Sequence, residues 1–275
     1  MGNGMQEHVR SVWPASDFEM MEFSVPQYID NQPFSVYYMT ISGHARYSRG
    51  ANAMASKNWD AFPEHYSQMS NTVRAYMAAN LELEYALEYL VSSLEEAGIA
   101  DDTVIVLATD HYPYGLERSD TWGNERDYIS ELFGFPVRTP ADRDQSALII
   151  WSGSLENEDK DLAVEVSSPT STLDILPTLL NLFGLEFDSR LFIGRDVFSD
   201  ALPLVFWLDR SWKTDAGFFR ASRSAFTLAS DDIAIPDDYI SILRAIVNNR
   251  ISYAGSVITL DYFNTIFHPD GSLRD

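Results

Sequence analysis

Thr103–Leu116, TVIVLATDHYPYGL, is the stretch from which the rest of the chain is read. Val104–Ala108 is a short apolar run bounded by turn-formers, which predicts a strand covered on both faces, as in a parallel sheet. It stops at Asp110-His111, and Pro113 and Gly115 then turn the chain away. Ligands of open α/β sheets bind beyond the carboxyl ends of strands, so a carboxylate and an imidazole there stand where chemistry is done. An Asp oxygen and a His nitrogen are compatible ligands for zinc or manganese. The plain alternative is an N-cap aspartate beside a surface histidine.

The composition narrows the function classes. A chain of 275 residues, 45% hydrophobic and 13% aromatic, can bury a large core. Its net charge of −22 argues against nucleic acid or an anionic membrane surface as a partner and makes a cation the natural counterpart. With no Cys, disulfides, thiolate-held zinc and thiol nucleophiles are excluded. The amino-terminal MGNGMQEHVRSVW has no apolar leader core, and Ala201–Leu208, interrupted by Pro203, is too short to span a bilayer, so the chain is expected to be soluble as written. The acidic run Glu156–Asp161 is expected to be a solvated connection.

Residues 1–30 are polar, with a helix expected within Asp17–Tyr28 and little readable chemistry. Phe34–Ile41 is aromatic and β-branched and predicts a buried strand, which ends in Ser42-Gly43-His44. Here Gly43 is expected to let the backbone approach a ligand closely. Arg46, Tyr47, Arg49 and Lys57 follow, a local cationic cluster suited to an anionic substrate or, equally, to a solvated loop. From Ser70 to Ala97, the residues Val73, Tyr76, Met77, Leu87, Leu90, Val91 and Leu94 recur at helical spacing, with Gly98 as the stop. Strand, helix and strand together predict a βαβ crossover with both carboxyl ends on one edge, so that His44 and Asp110-His111 share a crevice.

Further along, Tyr112–Asp144 is expected to be a long site-lining loop with short helical pieces. Ser146–Trp151 predicts another strand, and Ser167–Phe183 a helix capped by Ser171 or Thr172 and closed at Gly184. From Pro203 the pattern changes: Leu204–Leu208, Gly217–Arg220 and Ser224–Leu228 are spaced as an antiparallel meander, followed by a helix near Asp237–Asn249. The expected boundaries are therefore 1–202 for a partial α/β domain and 203–275 for a small α+β subdomain.

Four stretches in order carry a family resemblance: QPFSVYYMTISGH (32–44), DDTVIVLATDHYPYGL (101–116), SSPTSTLDILPTLLNLFGL (167–185) with IGRDVFS (193–199), and PLVFWLDRSWKTDAGFF (203–219). The chain resembles the carboxyl-terminal half of the sulfatase-like domain of the alkaline phosphatase superfamily, in its lipoteichoic acid synthase or phosphoglycerol transferase branch. The resemblance implies an α/β fold, a parallel-rich central sheet with flanking helices, and a small carboxyl-terminal antiparallel subdomain. It implies that Asp110 and His111 are two ligands of a divalent metal, manganese first, with zinc or magnesium as alternatives. His44 would contact the substrate's phosphoglycerol group or protonate a leaving group; from the cationic cluster beside it, Arg46 is the residue expected to help hold that anion. It further implies an anionic or lipid-linked glycerophosphate substrate and a membrane-anchored protein with an extracellular catalytic domain.

Departures from the family bear on activity. The threonine nucleophile and an acidic metal ligand of that family lie upstream of the part matched here, so the nucleophile is unassigned. Ser24 in SVPQY is similar to the Ser-x-Pro-x-Arg form of the sulfatase motif, but Tyr28 stands where Arg is needed. The expectations are a metal-dependent phosphoglycerol transferase or phosphodiesterase lacking its nucleophile-bearing half, a non-catalytic remnant or binding module of the same fold, and, least favoured without Cys, a sulfuric ester hydrolase. A sheet lacking upstream strands would leave an edge uncovered, which predicts self-association or pairing with a missing amino-terminal half.

Overall fold

The computed structural model describes residues 12–61, 66, 68–117, 127–155, 163–268 and 271–272. The acidic run 156–161 lies outside the described residues. The chain divides into two compact units, residues 1–163 and 164–275.

In the first unit, α1 (Asp17–Ser24) starts at Ser16, whose Oγ accepts from the Glu19 amide, and continues into a 3₁₀ turn at Val25–Gln27. The short α2 (Ala53–Lys57) is capped by Asn52, whose Oδ1 accepts from the Ala55 amide at 2.8 Å. The long α3 (Asn71–Glu96) begins at the Ser70 cap, as the periodicity predicts, and Gly98 takes a left-handed φ of +69° just beyond it. What α3 buries differs from the expected stripe. Ala75, Ala78, Ala79 and Ala86 are buried with Val73, Leu90 and Leu94, while Tyr76, Met77, Leu87 and Val91 are only half-buried. Small residues let α1 and α2 lie close on α3, and the core gathers Met21, Val25, Leu90 and Leu94 at one end and Met54, Ala55 and Trp59 at the other.

The strands depart from the expected crossover. β1 (Ile105–Leu107) is followed by α4 (Tyr128–Phe133), α5 (Pro140–Arg143) and β2 (Ile149–Trp151), and β1 pairs antiparallel with β2, Ile105 opposite Trp151 and Leu107 opposite Ile149. Phe34–Ile41 joins no sheet and is largely exposed, with Tyr37 85% and Met39 75% accessible. Among the described residues, therefore, no parallel pair forms. The segment is held by side chains instead: Phe34 and Tyr38 pack on the core beside Ile105 and Trp151, and the Tyr38 hydroxyl bonds Ser24 at 2.7 Å and Tyr28 at 3.1 Å. An apolar β-branched run states a preference for extended backbone but names no partner, because pairing is decided by distant residues.

In the second unit, a 3₁₀ turn at Thr172–Asp174 with a Ser171–Asp174 capping box leads into α6 (Ile175–Leu182), and Gly184 closes it at φ +65°. The turn at Gly194 docks on the start of this helix, with the Arg195 amide donating to Asp174 Oδ1 at 2.8 Å and the Val197 amide to Thr178 Oγ1 at 3.1 Å. β3 (Val205–Phe206), β4 (Trp212–Thr214), β5 (Gly217–Arg220) and β6 (Ala225–Leu228) form the expected antiparallel meander in chain order. Against it α7 (Tyr239–Thr259) buries Leu243 and Val247 beside Leu204, Trp212 and Phe219, and α8 (Tyr262–Ile266) follows. α7 runs well past the expected end at Asn249 because its apolar residues continue to Ile258. Among the described residues no helix is long and apolar enough to cross a membrane.

Candidate functional site

Asp110 and His111 follow β1, as the end of the apolar run predicts. The side chain of Asp110 is 88% exposed and that of His111 43% exposed. His111 Nδ1 lies 2.7 Å from the Tyr112 carbonyl; a carbonyl can only accept, so Nδ1 carries a proton and Nε2 is the ring nitrogen turned to Asp110. It lies 3.5 Å from Asp110 Oδ2. Two ligands about 2 Å from a tetrahedral ion stand about 3.3 Å apart, so the pair has the chemistry and spacing to occupy two positions around one divalent cation. The carbonyl contact at Nδ1 is the kind of outer contact that fixes a ligating imidazole. Among the described residues there is no group of three or more His, Cys, Asp or Glu side chains that could hold an ion together. The donors present thus fit part of a metal site.

His44 stands exposed on the turn that follows Phe34–Ile41, and it too has Nδ1 bonded to the next residue's carbonyl, Ala45 O at 3.2 Å. The Trp13 ring packs edge-on against it, centroids 5.6 Å apart. The two histidine-bearing segments meet. A Cβ added to Gly115 would stand 2.7 Å from the Tyr47 ring and 3.4 Å from the Ala45 Cβ, so Gly115 is required for the 45–47 chain to lie on the Asp110–Leu116 loop. Burial, and then Tyr76, Tyr114 and the Asp110 carboxylate, push the Tyr47 hydroxyl up to about 12, so it remains a neutral donor beside Asp110. The rim is completed by Tyr114, tilted at 42° against His111 with ring centroids 4.7 Å apart, and by Arg143 over Tyr112 at 4.0 Å.

The expected cationic cluster separates into different tasks. Lys57 bonds the buried Glu82 carboxylate at 2.8 Å and 3.0 Å, and Arg49 lies over Trp59 and 3.9 Å from Asp60. Arg46 is exposed on the His44 segment. At Gly43 a Cβ would fall 2.5 Å from Asn80 Oδ1, so the glycine lets the turn sit against that side chain of α3. Ser24 is a half-buried partner of Tyr38 at the end of α1. Asp17, Asn52, Trp13 and Tyr114 were not legible as site residues, since nothing local in a polar stretch signals a hydrogen bond formed some 25 positions away.

The sulfatase family model matches residues 4–185. The lipoteichoic acid synthase of Staphylococcus saprophyticus is 25% identical over 170 residues, covering 62% of this chain and 24% of that protein. The lipoteichoic acid synthase of Staphylococcus aureus strain USA300 is 25% identical over 173 residues, covering 61% and 23% respectively. The chain thus spans about a quarter of the length of these curated relatives. The crystal structure of the lipoteichoic acid synthase LtaP from Listeria monocytogenes superposes with a TM-score of 0.60 at 19% identity, over 87% of this chain and 59% of that one, and shares its α/β fold.

Proposed function

The chain belongs to the sulfatase family, and from that premise we propose that it carries the cation- and substrate-holding part of a metal-dependent phosphoryl-transfer site. The kind of reaction proposed is phosphoglycerol transfer or phosphodiester cleavage on an anionic, lipid-linked glycerophosphate of the cell envelope, in keeping with the lipoteichoic acid synthases it resembles. The observation that supports this most is the approach of Asp110 Oδ2 to His111 Nε2 at 3.5 Å, with Nδ1 engaged by the Tyr112 carbonyl. A bound divalent cation, manganese first and zinc or magnesium otherwise, would lower the pKa of a hydroxyl nucleophile and offset charge on the phosphoryl group.

Asp110 and His111 would hold that ion from two sides of its coordination shell. His44 offers Nε2 to a substrate oxygen or carries a proton to the leaving group, and exposed Arg46 holds the anionic end. The nucleophile and the remaining ligands are supplied by a further sulfatase-domain segment, since this chain spans 59% of the superposed synthase and 24% of a sequence relative. Division at residues 202 and 203 belongs to the same proposal, with the antiparallel sheet that begins at Val205 as its support, whereas the compact units part at residues 163 and 164. Absence of any three-ligand group among the described residues favours a second reading, a non-catalytic module of this fold.

A chromogenic phosphodiester assayed with manganese separates the readings. The chain alone should give no turnover; adding an amino-terminal sulfatase-domain segment that bears a threonine nucleophile should restore it, and Asp110→Ala should abolish it. Turnover by the chain alone, lost in Asp110→Ala, would place a nucleophile within these residues. A folded, associated pair without turnover would favour the non-catalytic module.

A further inference from the structure

The turn Ile41–His44 is held by groups that no local feature of the turn requires. Asp17 is the first residue of α1, where a carboxylate ordinarily caps its own helix, but Ser16 already does that. The Asp17 carboxylate instead reaches across the unit, where Oδ1 accepts from the Ile41 amide at 2.8 Å and Oδ2 from the Ser42 amide at 3.0 Å. Its backbone amide donates to Ser42 Oγ at 2.9 Å, and that hydroxyl donates to the Ala15 carbonyl at 3.3 Å. From the other side Asn52 Nδ2 donates to the His44 carbonyl at 3.0 Å and the Ser42 carbonyl at 3.4 Å, while Oδ1 of the same residue caps α2. Asp17 and Asn52 are each 1% exposed and Ser42 is fully buried.

We propose that Asp17 and Asn52 are positioning residues for His44. The carboxylate of Asp17 fixes the backbone entering the turn and the carboxamide of Asn52 fixes the backbone leaving it, so that the imidazole is presented in one orientation before any ligand arrives. This rests on the reading of His44 as a substrate contact only for its functional meaning; the orientation itself is a property of the free chain. Two bonds to one planar carboxylate set the direction of the chain as well as its position. Losing them leaves the buried Ser42 amide and the half-buried Ile41 amide unpaired, which the turn relieves by moving.

The test uses the free chain without metal or substrate and follows the His44 imidazole Hε1 signal by nuclear magnetic resonance. That signal carries a ring-current shift from Trp13, whose ring lies 5.6 Å away, and Trp13→Ala gives its unshifted position. In Asp17→Ala the His44 signal should broaden or move toward the Trp13→Ala position while the His268 signal in the second unit stays in place. Asn52→Ala should act likewise, and Asp17→Asn, which keeps the volume and one acceptor, should move it part-way and decides the matter if Asp17→Ala fails to fold. Leu94→Ala, buried in the same core but remote in sequence from the turn, should lower the melting temperature and leave the His44 signal unmoved. An unmoved His44 signal in Asp17→Asn and Asp17→Ala, or an equal shift in Leu94→Ala, would overturn the proposal. Failure of the chain to act on phosphodiesters would leave the result intact.

Discussion

The two histidines of the candidate site present the same imidazole arrangement on opposite kinds of support. His44 sits on a turn whose carbonyls and amides are bonded by the buried Asp17 and Asn52, and behind them lies the buried Glu82 with Lys57, Asn58 and Ser16 as donors. His111 and Asp110 stand on an exposed loop, steadied by one carbonyl contact and by the Tyr114 ring. A group meant to meet a neutral or anionic substrate must be oriented in advance, because the substrate supplies little force of its own. A carboxylate meant for a cation is cheaply kept in water until the ion and its remaining ligands arrive, since burying it alone would carry a large desolvation cost.

The largest effect separating the two supports should come from the network behind His44. Lys57→Met leaves the Glu82 carboxylate buried with only neutral donors, and should lower unfolding stability by about 3 kcal/mol. Glu82→Gln should cost less, because the Lys57 side chain is 38% exposed and can turn to water. Chemical denaturation monitored by tryptophan fluorescence ranks the two, and the opposite order would break the assignment of Glu82 as the buried acceptor. Next in size is Gly43→Ala, whose methyl would stand 2.5 Å from Asn80 Oδ1; that side-chain end can swing aside at the loss of its 2.9 Å bond to the Tyr76 carbonyl, so about 1 kcal/mol is expected, readable in the same unfolding curves.

The pH dependence should divide the network by sign. For Glu82, burial raises the pKa but bonds from Lys57, Ser16 and Asn58 outweigh it, and the net shift is downward. Its stabilisation is complete above the unfolded value near 4.5 and is lost as pH falls through the lower folded value. For Asp17, burial dominates over the Ile41 and Ser42 amides and the Glu82 charge adds to it, so its pKa is raised. Its contribution is therefore fullest below the unfolded value near 3.8 and is lost as pH rises through the folded one. The stability difference between wild type and Glu82→Gln should grow with rising pH, and that between wild type and Asp17→Asn should shrink. Parallel slopes would contradict this division.

Much of the framework carrying these groups was legible in the sequence, and the groups themselves less so. The helical repeat of α3, its serine cap, the capping box before α6 and the meander after Pro203 are local signals, and local signals survive folding. Asp110 and His111 at the end of an apolar run could be read for the same reason. What could not be read is long-range: that β1 takes β2 as an antiparallel partner, that Phe34–Ile41 is held by ring packing, that Glu82 is buried 66 positions from Ser16, and that Asp17 bonds the Ile41 and Ser42 amides. Each depends on which surfaces meet, and a polar residue in a helix looks the same from its neighbours whether it faces solvent or the core.

On the exposed arm the stability effects should be smallest. Asp110→Ala and His111→Ala should stay within about 0.5 kcal/mol of wild type in the absence of metal, since neither side chain is buried. That makes manganese binding the most direct measurement of the central assignment, followed by the electron paramagnetic resonance signal of the free ion as chain is added. Wild type should take up manganese weakly, and both variants should lose that uptake while unfolding at the wild-type denaturant concentration. Unchanged uptake in Asp110→Ala and in His111→Ala would place the ion elsewhere and contradict the assignment of this pair as cation ligands.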